Sequence, residues 1–475
     1  MRQGVKCLLG HGSALPAFLA RARLAGLAFL ALLAALATTG TARAQLLLGQ
    51  LGPNAPRPPA PLDDAIPKGA EVVTPARPKT GPEPPACSLR YAACVHRAAG
   101  VAPGTVLDWV RALDTAFDRL EGALRLPPPL PDWDRGGTPG LDVYLAPGAP
   151  DLDVSIDATD VGVATDRASA FCVASATGVA VERRATLCLA EAVLLRLDGS
   201  ETPFVRRALA TSLWLATGSP TSDDVRAFDD VQAHPERGVL ARDRSDASEG
   251  SALLFEYLDA AKGRGEPCGA SLATYSLSAK TESPAGRRFL NEPDVADVLR
   301  ATFGPTPTDT ARFFSDFAVA RAFTGSRDAE GLLPTLAFLG DLGRVRFEWS
   351  IPFASLPRRL APARAIEPLG STYLWLSLGP EAHGKSLAFQ ADWEEPVAFR
   401  WALVLLDGDG KPLRRYDVPF LERGTHVERI VSDLGGGAGL LVVGTNLGGL
   451  GPSYPFDPDF EPFEPHAYAV TLSAL

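Results

Sequence analysis

Histidine, methionine and paired metal-type cysteines are scarce in this 475-residue chain. It has six His, one Met and six Cys, and no CxxC pair. A Cys/His zinc knuckle therefore has no ligands to draw on. A Ser-His-Asp triad has few options, because His96, His234, His383, His426 and His466 are scattered and read as surface or packed structural residues. No GxSxG elbow, phosphate-binding P-loop or GxGxxG following a strand is present. Positive charge is also short: the net charge is −10 and the pI is near 5.3. Nucleic-acid binding needs a basic surface, so no nucleic-acid partner is expected. Beyond residue 37 no apolar run approaches the length of a membrane span.

The composition is that of a folded globular protein, with 46% hydrophobic and 21% charged residues. Arg2, Lys6, Arg21 and Arg23 precede Leu24 to Ala37, an apolar run of 14 residues, and Ala42-Arg43-Ala44 follows as a small-x-small pattern. This reads as a secretory signal over 1–44, cut before Gln45, and predicts a secreted, periplasmic or cell-surface protein with no membrane span after cleavage. Export places Cys87, Cys94, Cys172, Cys188 and Cys268 in an oxidising compartment. Five is an odd number, so at least one stays free or pairs between molecules. Cys87 and Cys94 are close enough to close a small loop, and Cys172 and Cys188 flank a segment they could staple; the pairing stays open.

Residues 52–86 contain eleven prolines, so 45–86 reads as a Pro-rich linker. From Cys87 the pattern is α+β. Thr105 to Leu126 is an amphipathic helix with Val106, Trp109, Val110, Leu113, Phe117, Leu120 and Leu124 on one face, and Thr105 as its cap with Asp108 three positions on. "LDVYLA" is a short strand. Further helices are expected near 183–198, 204–217, 249–263, 294–303 and 308–323. After Gly331 period-2 alternation takes over, beginning with "RVRFEWSI", where Val345, Phe347, Trp349 and Ile351 share a face. Seven or eight such segments, with "DGDGK" as a hairpin turn, predict a β-sandwich or jelly roll over 331–475. Trp375, Trp393 and Trp401 fall in it, as core residues or as part of a binding surface.

Two acidic runs have the oxygen chemistry that could hold calcium. Asp151, Asp153, Asp157 and Asp160 lie in "DLDVSIDATD", and Asp457, Asp459, Glu461 and Glu464 lie in "FDPDFEPFEPH". Neither has EF-hand spacing, and solvated acidic loops are the expectation for both.

The segments "CSLRYAACVHRA", "VLDWVRALDTAFDRL", "LPPPLPDWDRGGTPGLDVYLA", "DRASAFCVAS", "NEPDVADVLRATFG" and "DFAVARAFTG" resemble a group of secreted bacterial zinc metalloproteases, from about Cys87 to near the C-terminus. The resemblance implies a zincin-like, mostly helical domain over 87–330 carrying HExxH on its active-site helix. In that motif two histidines one turn apart hold zinc, and the glutamate between them is general base to the zinc-bound water. The matching positions here are Ala190, Glu191 and Leu194. Only the glutamate survives. No His lies between His96 and His234, so no shift of register restores a ligand. A third ligand from the next helix would fall where Arg206 and Arg207 stand, and arginine does not bind zinc; Glu201 is nearby but lacks imidazole company. The expectation is an exported pseudo-protease without a metal, acting by binding a peptide or protein. Glu191 is its remnant general base, either solvent-facing or paired with Arg206 or Arg207 in place of zinc. The alternatives are an active metallopeptidase with an atypical metal site and a structural envelope or surface protein.

Overall fold

The computed structural model describes residues 76–475 apart from 133–134, 161–166, 178–179, 241–246, 280–290, 292, 304–305, 329 and 449–463. The signal segment, most of the linker, and Asp457, Asp459 and Glu461 lie outside the described residues. The protein is α+β: a mixed sheet with helices, then two further sheets.

The first sheet comprises β1 (Ala86–Cys87), β2 (Ala93–Arg97), β3 (Leu141–Ala146), β4 (Leu152–Asp160) and β5 (Arg167–Ser175), in the order β1-β2-β3-β5-β4. The central strands β2, β3 and β5 run parallel, and β4 returns antiparallel along the edge. Helix α1 (Pro103–Phe117) makes the crossover from β2 to β3. It starts two residues earlier than its sequence pattern suggested, because Pro103 occupies the first turn after Ala102, and Thr105 makes no capping bond. Its apolar face is buried as expected at Val106, Trp109, Leu113 and Phe117, while Val110 is half-buried. The helix then widens into a π turn over Asp118–Ala123, which buries Leu120.

Helices α2 (Val181–Leu197), α3 (Pro203–Thr217), α4 (Ser222–Ala233), α5 (Ala252–Lys262), α6 (Gly269–Ser278), α7 (Val295–Phe303) and α8 (Pro307–Arg321) follow. Helices α4 and α6 were not anticipated. Helix α4 nevertheless has a legible start, since Thr221 and Asp224 form a reciprocal capping box. The run "DLDVSIDATD" is also not a loop: it is edge strand β4. Asp153 is exposed and Asp157 buried although they are four residues apart, because the β4–β5 register shifts between Ile156 and Ala158 and the bulge takes Asp157 out of the alternation.

The C-terminal part has two sheets built from β6 (Trp349–Pro352), β7 (Arg358–Leu360), β8 (Ser371–Ser377), β9 (Leu387–Trp393), β10 (Phe399–Leu406), β11 (Pro412–Asp417), β12 (His426–Val431), β13 (Gly439–Asn446) and β14 (Tyr468–Ala474). One sheet has the order β11-β10-β13-β8-β6 and the other β12-β9-β14-β7. Successive strands mostly change sheets, which is the interleaving of a jelly roll. Leu374, Trp401, Leu403 and Val442 of the first sheet meet Phe389, Val427, Val470 and Leu472 of the second in one core. Strand β9 alternates buried and half-buried residues, whereas β10 and β13 are buried at every position. The reason is a second cover: Ala318, Val319 and Ala322, on and just after α8, pack on Tyr373, Val404 and Val443 from the opposite face. A strand enclosed on both faces loses its polar alternation, as "FRWALVLL" shows.

Trp393 and Trp401 are core residues, and Trp375 is half-buried and stacks on Phe347 with ring centroids 5.9 Å apart. "RVRFEWSI" is a strand only from Trp349 onward, where it pairs in parallel with β8. Just before that strand, Arg346 is instead held by the end of α4 and the turn that follows. Arg346 donates to Glu236 at 3.0 Å, and its backbone N–H donates to the Gln232 carbonyl at 3.0 Å.

Candidate functional site

Helix α2 is buried on all sides, from Arg183 through Leu197. It packs on β4 and β5, α1 and α3, and Cys188 ties it to β5 through a disulfide with Cys172. A second disulfide joins Cys87 to Cys94 across the β1–β2 pair, and Cys268 is a buried free thiol. Two disulfides fit an oxidising compartment.

A helix enclosed all round normally carries apolar residues on every face. This one carries Arg183, Arg184, Thr186, Glu191 and Arg196, all buried. Each charged side chain has a partner, as low-dielectric burial requires. Arg184 donates to the Ser175 carbonyl at 3.0 Å and stacks over Trp109 with its guanidinium carbon 5.4 Å from the ring centroid. Arg196 donates to the Pro128 carbonyl at 2.8 Å.

Glu191 is 2% exposed, so it does not face solvent. Its Oε2 accepts from Arg206 Nε at 3.3 Å, and its Oε1 accepts from Arg207 Nε. Both arginines come from the first turn and a half of α3, which Pro203 opens and the Thr202 hydroxyl caps by accepting from the Val205 N–H at 3.3 Å. Two cations near a helix N-terminus oppose its dipole, and the Glu191 carboxylate offsets that cost. The two positions that would hold a metal, Ala190 and Leu194, lie one turn apart and are both fully buried.

The pair extends into a chain of charges. Arg207 Nη1 donates to Glu249 Oε1 at 3.2 Å; Glu249 Oε2 accepts from Arg183 Nη2 at 2.6 Å; and Arg183 Nε donates to Asp224 Oδ1 at 2.8 Å. Asp224 closes the chain by accepting from Trp214 Nε1 at 3.0 Å and from the Thr221 N–H and hydroxyl at 2.7 and 2.9 Å. Three carboxylates thus face three guanidinium groups across α2, α3, α4 and the turn before α5. Burial works against the charged form of Arg207, but the carboxylates of Glu191 and Glu249 outweigh it and raise its pKa. Reading the sequence did not find Glu249, Asp224 or Arg183, whose contacts span 41 and 66 residues. The only local signal was the capping box that orients Asp224.

Glu201, the remaining carboxylate near the expected third-ligand position, is committed elsewhere. Oε1 accepts from the Thr202 N–H at 2.6 Å and Oε2 from the Val295 N–H at 3.0 Å, at the start of α7. Burial, with the charge of Asp198 adding to it, pushes its pKa up to about 8.

Among the described residues no group of three or more His, Cys, Asp or Glu side chains is arranged to hold a metal ion. The acidic run on β4 is dispersed: Asp153 accepts from the Ser155 hydroxyl at 3.1 Å, Asp151 lies 3.4 Å from Arg184, and Asp157 turns inward to Arg77. Asp151 and Asp153 are exposed, as a solvated run would be, but residues 152–160 form a strand rather than a loop and Asp157 is buried on Arg77, which corrects the solvated-loop reading there; the side chain of Asp160 is outside the described residues. Of the second run, Glu464 is exposed. Among the described residues no helix is long and apolar enough to cross a membrane.

No protein family profile matches the chain, and no curated protein matches it in sequence. Among solved structures, the pre-peptidase C-terminal domain of a collagenase from Bacillus anthracis aligns at 8% identity over 27% of this chain and 97% of that one, with a TM-score of 0.18. The enzymatically active domain of tailspike protein 4 from bacteriophage CBA120 aligns at 12% identity over 26% of this chain and 15% of that one, with a TM-score of 0.13. At such scores neither likeness bears on fold or activity, and the site is read from its own geometry.

Proposed function

We propose that this is an exported pseudo-protease: a zincin-like scaffold without its metal, whose role is to bind a peptide or protein. One observation carries the reading. At the positions resembling HExxH, the general-base glutamate remains but both ligand positions are buried apolar residues, and Arg206 and Arg207 close over the carboxylate. A general base must reach a water on the metal; Glu191 reaches two guanidinium groups instead. Those cations supply the positive charge that zinc would supply, so the carboxylate stays balanced while the water-activating chemistry is gone. Beside this closed site, β4 is an edge strand that pairs only with β5 among the described residues, a feature that can add an extended peptide as a further strand.

Metal analysis of the purified protein, paired with a general protease assay, tests the reading. The expected result is zinc well below one equivalent and no EDTA-sensitive cleavage. Stoichiometric zinc together with EDTA-sensitive cleavage overturns it.

A further inference from the structure

At the far end of β4 from Arg207, a second buried cluster has a different logic. Asp132, Asp142 and Asp157 are each 1% exposed or less, and they converge on a single side chain, Arg77. Arg77 belongs to the stretch before β1. Its Nε and Nη2 donate to Asp157 at 3.1 and 2.7 Å, its Nη1 donates to Tyr144 Oη at 2.9 Å, and its two terminal nitrogens also contact Asp142 and Asp132. The guanidinium carbon lies 5.2 Å from the Phe171 ring centroid and 5.8 Å from that of Tyr144. The guanidinium edge thus meets carboxylates while its face meets aromatic rings, which is the full recognition set for this group and not for an ammonium.

Two features separate this from an ordinary structural ion pair. The first is preorganisation. Asp142 is oriented independently of Arg77, accepting from Thr138 Oγ1 at 2.8 Å and contacting His96 Nε2 at 2.8 Å; Asp132 accepts from the Gly136 N–H at 3.2 Å. Gly136 leaves the space, since a Cβ there would collide with both the Asp142 carboxylate and the Arg77 guanidinium. The second is the way Arg77 arrives. Ala76, Lys79 and Thr80 beside it are exposed. Over residues 76–85 the next anchors are the Gly81 N–H donating to the Arg97 carbonyl at 2.8 Å and a partly exposed Glu83–Arg97 pair at 3.3 Å. An exposed, proline-flanked backbone held by one side chain in a deep pocket is how a peptide ligand binds.

We propose that Asp132, Asp142, Asp157, Tyr144 and Phe171 form a guanidinium-binding pocket for an arginine side chain on an extended segment, and that Arg77 fills it in cis. The tether gives Arg77 a high effective concentration, so a competing arginine gains entry once Arg77 leaves. This pocket is independent of the reading of Glu191.

The test compares the full chain with Arg77→Ala and with Arg77→Ala combined with Asp157→Asn. The probe is n-propylguanidinium at low millimolar concentration, with n-propylammonium as control, followed by calorimetry and thermal shift. Arg77→Ala is expected to bind propylguanidinium saturably at one site and at least tenfold tighter than propylammonium. The parent chain should show no binding, and the double variant should lose at least tenfold. Absence of binding to Arg77→Ala, or equal binding of the two cations, overturns the proposal. If Arg77→Ala does not fold, refolding is repeated with each cation: recovery with propylguanidinium alone supports the pocket, and no recovery, or equal recovery with both, overturns it.

Discussion

Replacing Glu191 by Gln removes one negative charge from the buried array while keeping its shape. In the parent protein the three carboxylates of Glu191, Glu249 and Asp224 balance Arg206, Arg207 and Arg183. Two unit charges about 4 Å apart attract by about 4 kcal/mol at an effective dielectric of about 20. Breaking a buried pair by deleting one partner typically costs about 3–5 kcal/mol. Glu191→Gln leaves Arg207 with Glu249, and Arg206 with the Glu201 carbonyl 3.2 Å away, so its loss should fall near the lower end, about 3 kcal/mol. Arg207→Met leaves both Glu191 and Glu249 short of a partner and should cost more, about 4–5 kcal/mol. The double variant removes both charges together and should be less destabilised than the sum by about 2 kcal/mol. Urea unfolding followed by circular dichroism reads these values; with a slope near 3 kcal/mol per molar, Glu191→Gln shifts the midpoint by about 1 M. EDTA should move none of the midpoints. A Glu191→Gln midpoint within about 0.2 M of the parent, with additive behaviour in the double variant, would refute the neutral-array argument.

Three further outcomes are expected. Burial pushes the Glu256 carboxyl up from 4.5 to about 7, against the opposing hydroxyls of Ser212 and Thr335. The folded state therefore holds this proton longer than the unfolded state, and stability falls as pH rises from about 4.5 to 7 by roughly 3 kcal/mol. Glu256→Gln should remove that decline, and parallel pH–stability curves for parent and variant would count against it. Removing the Cys172–Cys188 bridge, which spans 16 residues, should cost about 3 kcal/mol and lower the hydrogen-exchange protection of α2, as measured by mass spectrometry. Gly444→Ala puts a methyl into the Trp401 ring within the sandwich core; a loss of about 1–3 kcal/mol with altered Trp fluorescence is expected, and an unchanged melting temperature would show that the ring has room to move.

Much of the architecture was readable along the chain where one neighbour layer set the pattern. The face of α1 and the alternation of β9 each report a single buried side, so the period in the sequence matches the period of the element. The reading failed where contacts from far along the chain decided the environment. "DLDVSIDATD" resembled a solvated loop because its aspartates are polar, yet Asp157 is buried by Arg77, 80 residues away. "RVRFEWSI" has strand periodicity, but its first half is drawn toward Glu236 and Gln232 instead of into a ladder.

At the candidate site the same division holds. That no His lies between His96 and His234, and that Arg206 and Arg207 follow Glu191, can be read along the chain, because residue identity decides which side chains could ligate a metal. That both arginines turn toward Glu191, that Glu249 and Asp224 extend the array, and that Arg77 closes a separate acidic pocket is set by the packing of distant segments. Charges can be buried only when opposite charges meet them in space, and that meeting is set by how α2, α3 and the first sheet pack, not by spacing along the chain.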